Sequence, residues 1–151
     1  MSTNLISLMH KISVIIPTYN RAKTIAYCLD SVINQTLMPQ EIIVVDDCSI
    51  DDTLQVVKHY YHQLVKIIQL QKNSGAQKAR NEVIKAATGE WIAFLDSDDL
   101  WLPEYLEKQY MVALNTKSNI VYCNAFLDNG VSREKFAMPD VSEDTYKKLI
   151  F

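Results

Sequence analysis

The sequence predicts an α/β fold: a mainly parallel sheet flanked by helices. Three observations carry that expectation. Short β-branched runs alternate with segments of helical period, the pattern of successive βαβ units with right-handed crossovers. The runs are mostly apolar rather than strictly alternating, as in strands covered on both faces. Two of them end in aspartates, at Asp46-Asp47 and at Asp96-Ser97-Asp98-Asp99, where open parallel sheets bind their ligands.

Ile12 to Ile16 reads as a central strand stopped by Pro17. Ile25, Cys28, Leu29, Val32 and Ile33 recur at helical spacing and predict a helix over 22–34, with Pro39 marking the turn beyond it. Ile42 to Val45 is the second strand. Asp51-Asp52 is a capping signal for a helix to His62, with Leu54, Val57 and Tyr61 facing inward. Val65 to Leu70 is the third strand. Ser74 is the expected N-cap of a helix carrying Ala76, Ala79, Val83 and Ala86 on one face and ended by Gly89. Glu90 to Leu95, with Trp91-Ile92-Ala93-Phe94 at its centre, reads as a buried fourth strand. Pro103 suits the first turn of a helix presenting Leu106, Tyr110, Ala113 and Leu114. Asn119 to Phe126 is a further expected strand and Asn129-Gly130 a hairpin turn. Phe136 to Met138 is a short returning strand, and 142–151 starts a helix. The expected organisation is an N-terminal extension over 1–10, an α/β domain over 11–126, and the start of another region over 127–151. The apolar end Leu149-Ile150-Phe151 points to a cut within a longer protein.

With 151 residues, 48% hydrophobic and 22% charged, the chain has the size and composition of one soluble globular domain. A net charge of -3 offers no broad cationic surface for nucleic acid. An anionic ligand therefore needs local arginines, backbone donors or a metal. Cys28, Cys48 and Cys123 match no zinc spacing and read as buried free thiols in a reducing compartment. The start has no signal-peptide core, and no apolar run is long enough for a membrane span. His10, His59 and His62 share no ligand spacing with another strong donor. The glycine fingerprints of dinucleotide and P-loop sites and the serine-hydrolase elbow are absent from the sequence.

Three carboxylates within four residues, at Asp96, Asp98 and Asp99, repel one another unless a cation sits among them. In an extended backbone Asp96 and Asp98 would face one ligand and Ser97 would turn away. Hard oxygen donors suit Mg2+ or Mn2+, with positions left open for phosphate oxygens. An isolated Asp-x-Asp is commonly a turn or a cap. Here Asp46-Asp47 and the loop Pro17-Thr18-Tyr19-Asn20-Arg21 reach the same end of the sheet. Arg80 follows the Asn73-Ser74-Gly75 turn; its fork reaches a phosphate, or it pairs with Glu82 or the site carboxylates. Trp91 reads as core, and Trp101 either packs or lines the site.

On these residues the chain resembles the nucleotide-sugar-binding half of an inverting family-2 glycosyltransferase with the GT-A fold. The matching pieces are Ile12 to Asn20, Leu29 to Thr36, Glu41 to Asp47, Asn73 with Gly75, Ala79-Arg80-Asn81, and Gly89 to Asp99, in the expected order. The resemblance implies Pro17, Thr18, Tyr19, Asn20 and Arg21 around the nucleotide, with Asp46 accepting from the base and Asp47 supporting it, or the two roles exchanged. It also implies Asn73, Gly75 and Arg80 near the nucleotide or diphosphate. Asp96 approaches the ribose or a metal-bound water, Ser97 belongs to the nucleotide-sugar site, Asp99 flanks the donor sugar, and Asp98 with Asp96 holds Mn2+ or Mg2+. The implied reaction moves a sugar from a nucleoside-diphosphate sugar, UDP-sugar favoured, to a saccharide or lipid-linked acceptor hydroxyl with inversion. The family's setting is bacterial polysaccharide assembly, cytoplasmic or at the inner face of a membrane.

The family's catalytic base comes from a later acidic motif. Glu143-Asp144 lacks that motif's surroundings and reads as helix capping, so the base and the acceptor-binding region are expected outside this chain. The fragment is then expected to bind donor but transfer poorly. Two other classes remain at this point: a Mg2+-dependent phosphoacceptor or phosphoryl-transfer α/β domain, and a non-catalytic binding or assembly domain of the same fold.

Overall fold

Seven consecutive buried residues, Ile12–Thr18, make the central strand. A computed structural model describes residues 11–128 and 132–136. Its elements are β1 (Ile12–Thr18), α1 (Ile25–Ile33), β2 (Glu41–Asp46), α2 (Thr53–Tyr61), β3 (Val65–Gln69), α3 (Ala76–Ile84), β4 (Trp91–Phe94), α4 (Tyr105–Thr116), β5 (Ala125–Asp128) and β6 (Arg133–Phe136). Two compact units divide the chain between Lys108 and Gln109.

The first unit holds a four-stranded sheet in the order β3-β2-β1-β4. All its pairings are parallel, with Val14 opposite Ile42 and Ala93. Right-handed crossovers then fix the layers. The steps from β1 to β2 and from β2 to β3 run in one direction and place α1 and α2 on one face; the return from β3 to β4 places α3 on the other. Ile15, Ile43 and Val45 pack with Ala79 and Val83 of α3. The alternate residues Val14, Ile16, Ile42 and Val44 point to the opposite face and are also buried. Tyr61 Oη of α2 donates to Asp30 Oδ1 at 2.7 Å and ties α2 to α1.

Pro17 does not stop β1, which runs on to Thr18 opposite Asp46. Hydrogen bonds alternate sides along a parallel strand: Thr18 O accepts from Asp47 N, and Ile15 O accepts from Leu95 N. Pro17 therefore turns its nitrogen toward β4, whose pairing with β1 ends at Ile15 and Phe94. No ladder bond is lost there.

Several other expectations are corrected. The predicted helix over 22–34 begins at Ile25, after a turn closed by Thr24 N and Ile25 N onto Arg21 O. β4 is a half-exposed edge strand among the described residues, with Ile92 and Phe94 open on one face, because β1 is its sheet neighbour and no strand lies beyond it. Trp91 is accordingly half-buried, not core. Gly89 does not end α3, which stops at Ile84. It permits a close approach: a Cβ there would stand 2.6 Å from Ser13 N and 2.7 Å from Lys11 O. Of the thiols only Cys28 is buried, while Cys48 is half-buried and Cys123 exposed; none forms a disulfide.

The second unit contains the antiparallel pair β5-β6, with Asp128 opposite Arg133. The strand expected over 119–126 is replaced by irregular chain up to Asn124, and pairing begins only at Ala125. Exposed Phe126 and Leu127 show why an apolar run misled: β5 is exposed along its whole length. Of the predicted returning strand, Phe136 falls in β6. Residues 137–138, Asn129-Gly130, Glu143-Asp144 and the helix over 142–151 lie outside the described residues. No helix among the described residues is long and apolar enough to cross a membrane.

Candidate functional site

The strand order reverses at β1, whose neighbours β2 and β4 are reached by connections leaving in opposite directions, and ligands of open sheets lie beyond such a point. A cleft of about 500 Å³ opens there, bounded by the chain leaving β1, β2 and β4. Pro17, Thr18, Tyr19 and Arg21 form one wall. Asp47, Asn73, Gly75 and Arg80 form the second, and Asp96, Ser97 and Asp98 the third. Of the predicted site residues, Asn20, Asp46 and Asp99 do not line it.

The first wall is held by Asn20 from behind. Asn20 adopts φ 54°, a left-handed conformation that asparagine tolerates. Its N–H donates to Ser49 Oγ and its Oδ1 accepts from Ile50 N, both at 2.9 Å. Arg21 N donates to Thr53 Oγ1 at 2.7 Å, and Asp51 Oδ2 accepts from Ala22 N at 3.1 Å. Asp51 also accepts from Thr53 N at 3.0 Å and from the Thr53 hydroxyl, so the capping of α2 falls to Asp51 rather than Asp52. These ties explain why Asn20 stands behind the wall and Arg21 on it. Thr18 is buried, yet its Oγ1 has no hydrogen-bond partner. Thr18 lines the cleft, and a buried hydroxyl without a partner is the exception in a folded protein.

Asp46 and Asp47 have opposite fates. Asp46 is fully buried and accepts from Ser49 N at 3.2 Å, turned away from the cleft. That removes Asp46 from the wall where the sequence placed it. Asp47 takes the wall position instead, because β2 ends at Asp46 and the chain turns there. Its two carboxylate oxygens accept from Ser74 N and Gly75 N, each at 2.7 Å. Ser74 is therefore not the N-cap of α3: Gly75 occupies that place at φ 83°, and the Ser74 hydroxyl donates to Lys72 O. A carboxylate from a distant strand thus holds the turn that leads into α3.

The third wall is a turn, not an extended strand end. Asp99 N donates to Asp96 O at 2.9 Å, so strand alternation does not apply and Ser97 joins Asp96 and Asp98 on the cleft. Arg80 Nη2 donates to Asp96 Oδ1, which selects the site carboxylate among the partners open to Arg80. Arg21 Nη2 donates to Asp98 Oδ2 at 3.2 Å. Negative potential persists beside these pairs. Burial raises the Asp99 carboxyl pKa, and the charges of Asp98 and Asp96 raise it further. Burial, with Asp99, Asp98 and Asp96, pushes the Cys28 thiol up to about 12. Trp101 stays off the cleft and stacks on Tyr105 with ring centroids 4.4 Å apart.

The donor set fits a divalent cation carried on a diphosphate. Asp96 and Asp98 are half-exposed hard oxygen donors, and Mg2+ is commonly held by one or two carboxylates plus substrate phosphates. Among the described residues no group of three His, Cys, Asp or Glu side chains forms a ready-made cage, so phosphate oxygens would have to complete the shell.

Residues 13–150 match the profile of "Glycosyl transferase family 2". The chain belongs to glycosyltransferase family 2. Over 140 residues it is 36% identical to the Escherichia coli UDP-Glc:alpha-D-GlcNAc-diphosphoundecaprenol beta-1,3-glucosyltransferase WfgD, covering 92% of this family-2 chain and 54% of that protein. The solved structure of Staphylococcus aureus TarS 1-349 in complex with UDP-GlcNAc superposes with a TM-score of 0.65 at 43% identity, over 72% of this chain and 32% of that one. The Pyrobaculum calidifontis mannosyltransferase PcManGT in complex with GDP-Man and Mn2+ gives 0.57 at 31% identity, over 61% and 28%. This chain thus spans about half the length of WfgD and about a third of the two solved chains. The observed sheet with its flanking helices is the nucleotide-binding part of a GT-A fold, as the family-2 motifs imply.

Proposed function

We propose that residues 11–126 bind a UDP-sugar as the donor half of an inverting glycosyltransferase, and that the acceptor is a saccharide or lipid-linked hydroxyl. One observation carries the reading: Asp96 and Asp98 stand in a single cleft with Arg21 and Arg80. Two carboxylates suited to a cation and two guanidinium groups suited to phosphate are the complement of a metal-bound diphosphate. Uridine is favoured because WfgD is named for UDP-Glc and TarS was solved with UDP-GlcNAc, while PcManGT was solved with GDP-Man.

In this reading the base lies between Thr18, Tyr19 and Asp47. The Thr18 hydroxyl supplies a bond to it, and Asp47 takes over the base-side role first read for Asp46, since Asp46 is buried behind it. Asn73 and Gly75 edge the same wall and Asn20 braces it from behind. Arg21 and Arg80 leave their carboxylates and turn to the diphosphate. Asp98, with Asp96, would hold Mn2+ or Mg2+, and Ser97 lines the same cleft between them, while Asp99, which lies off the cleft, would reach the donor sugar only from the side of the turn. The bound ion supplies charge stabilisation for the departing nucleoside diphosphate. The acceptor oxygen bonds to the anomeric carbon as the bond to the diphosphate breaks, and its proton goes to a base from the acceptor side.

Calorimetric titration of UDP, GDP and their sugar conjugates, with Mn2+ and then with excess chelator, tests the proposal. UDP binding that needs Mn2+ and disappears in Asp98→Ala is the expected result. A folded chain whose UDP affinity is the same in chelator, or in Asp98→Ala, overturns it.

A further inference from the structure

The turn from Asp96 to Asp99 precedes an irregular stretch that reaches α4, and little of its own backbone holds it. α1 does. Cys28 Sγ donates to Asp96 O at 3.6 Å, and Trp101 N donates to Ser31 Oγ at 3.2 Å. Just past α1, Gln35 Nε2 donates to Leu102 O at 2.7 Å, and Gln35 Oε1 accepts from Leu106 N at 2.9 Å. Gln35 is 5% exposed, and its amide also donates to Ser31 O at 2.9 Å. Cys28, Ser31 and Gln35 are three and four residues apart, so they form one stripe facing the acidic connection.

The other end of α1 grows out of the opposite wall. Arg21 O accepts from Thr24 N at 3.0 Å and from Ile25 N at 2.9 Å, closing the helix's entry turn. One short helix therefore fixes the loop bearing Arg21 at one end and the loop bearing Asp98 along its side. The two side chains meet at 3.2 Å across the cleft.

We infer that Ser31 and Gln35 are positioning residues for the Asp96 and Asp98 carboxylates, setting the separation of the two walls and hence the affinity for a cation-bound diphosphate. The ligand in this inference rests on the donor-site reading above; the mechanical part does not. Neither side chain lines the cleft, so any effect on binding passes through the acidic turn. Groups bonded directly to metal ligands alter metal affinity by about 10–100-fold when removed, and these two, which hold the backbone at Trp101, Leu102 and Leu106, are expected at the low end of that range.

The test uses Ser31→Ala, Ser31→Thr and Gln35→Met in the 151-residue chain. Two quantities are read: amide hydrogen exchange over 96–106 against that of β1 and β2, and the ratio of UDP dissociation constants in chelator and in Mn2+. Ser31→Ala and Gln35→Met are expected to speed exchange over 96–106, leave β1 and β2 protected, and shrink the ratio about 10-fold. Ser31→Thr, which keeps the accepting oxygen, stays near wild type. Exchange that rises uniformly, or stays unchanged, overturns the inference, and so does local loosening with an unaltered ratio. If Gln35→Met fails to fold, the half-buried Ser31→Ala decides. A wild-type chain that binds no UDP sinks the donor reading, and the exchange pattern then still decides whether α1 holds the acidic turn.

Discussion

Arg21 Nη2 stands 3.2 Å from Asp98 Oδ2, although 77 residues separate the two in the chain. The pair spans the cleft from the end of β1 to the end of β4, and each side chain is about half exposed. Such a pair contributes only ~0–1 kcal/mol to stability. Under the proposed donor reading, a divalent cation would replace the guanidinium at Asp98 and a phosphate would replace the carboxylate at Arg21.

Arg21→Gln should therefore act in opposite directions on two ligands. Mn2+ alone binds more tightly, because a competing positive charge has left Asp98. UDP with Mn2+ binds about 10-fold more weakly, because a charged hydrogen bond to phosphate is lost. Calorimetry with Mn2+ alone and with UDP plus Mn2+ measures both. A shift of the same sign in the two titrations contradicts the exchange of partners.

Asp47→Ala should destabilise the fold by about 2 kcal/mol or more, since Ser74 N and Gly75 N each lose a 2.7 Å bond to a carboxylate. Asp47→Asn keeps one accepting oxygen and should fall between. Urea denaturation ranks the three. An Asp47→Ala midpoint equal to wild type would show that the 74–75 turn finds other acceptors.

Gly89→Ala tests packing far from the cleft. The new methyl would sit 2.6 Å from Ser13 N and 2.7 Å from Lys11 O, and backbone atoms cannot swing aside. A loss of ~1–3 kcal/mol is expected from the forced shift of β1 against the 88–91 segment. UDP affinity of the folded fraction should stay unchanged.

Glu41 sets part of the acid limb of stability. Burial pushes its carboxyl pKa up, but hydrogen bonds from the Ser13 hydroxyl and from Thr88 N and Oγ1 outweigh burial, and Lys66 adds to them. The net result is a carboxyl held below its ordinary range. A depressed folded pKa stabilises the fold above the unfolded value of about 4.3, and that stability is lost as pH falls through the folded value. Glu41→Gln should lie below wild type in denaturation midpoint at neutral pH, and the gap should close as pH drops below about 4. A gap independent of pH would assign the effect to packing instead.

The parallel sheet could be read directly because β1 and β2 are rich in β-branched residues and buried on both faces, while the edge strand β3, with Lys66 and Gln69 exposed, still keeps Val65, Ile67 and Ile68. The acidic ends could be read because clustered carboxylates must find compensating partners, here backbone N–H groups at Asp46 and Asp47 and the two arginines at Asp96 and Asp98. Other features were hidden by distance. Asp47 fixes the Ser74-Gly75 turn where a local Ser74 cap was expected, and no local rule links residues 27 positions apart. Gly89 looked like a helix stop and proved to be a contact with β1, since glycine serves both ends and only the neighbour distinguishes them. The run at 119–126 carried strand composition without a sheet to join until Ala125.

Composition, hydrophobic period and motif order by themselves determined the α/β class, the direction of the strands, the family and the three loops that meet at the cleft. Those properties are local, or sums of local ones. Only the tertiary structure decided that Asp47 rather than Asp46 faces the cleft, that Arg80 takes Asp96 and Arg21 takes Asp98, and that α1 braces the acidic turn. Each of those choices depends on which way a side chain leaves a turn and what meets it there, and both are set by packing between segments that the chain brings together only on folding.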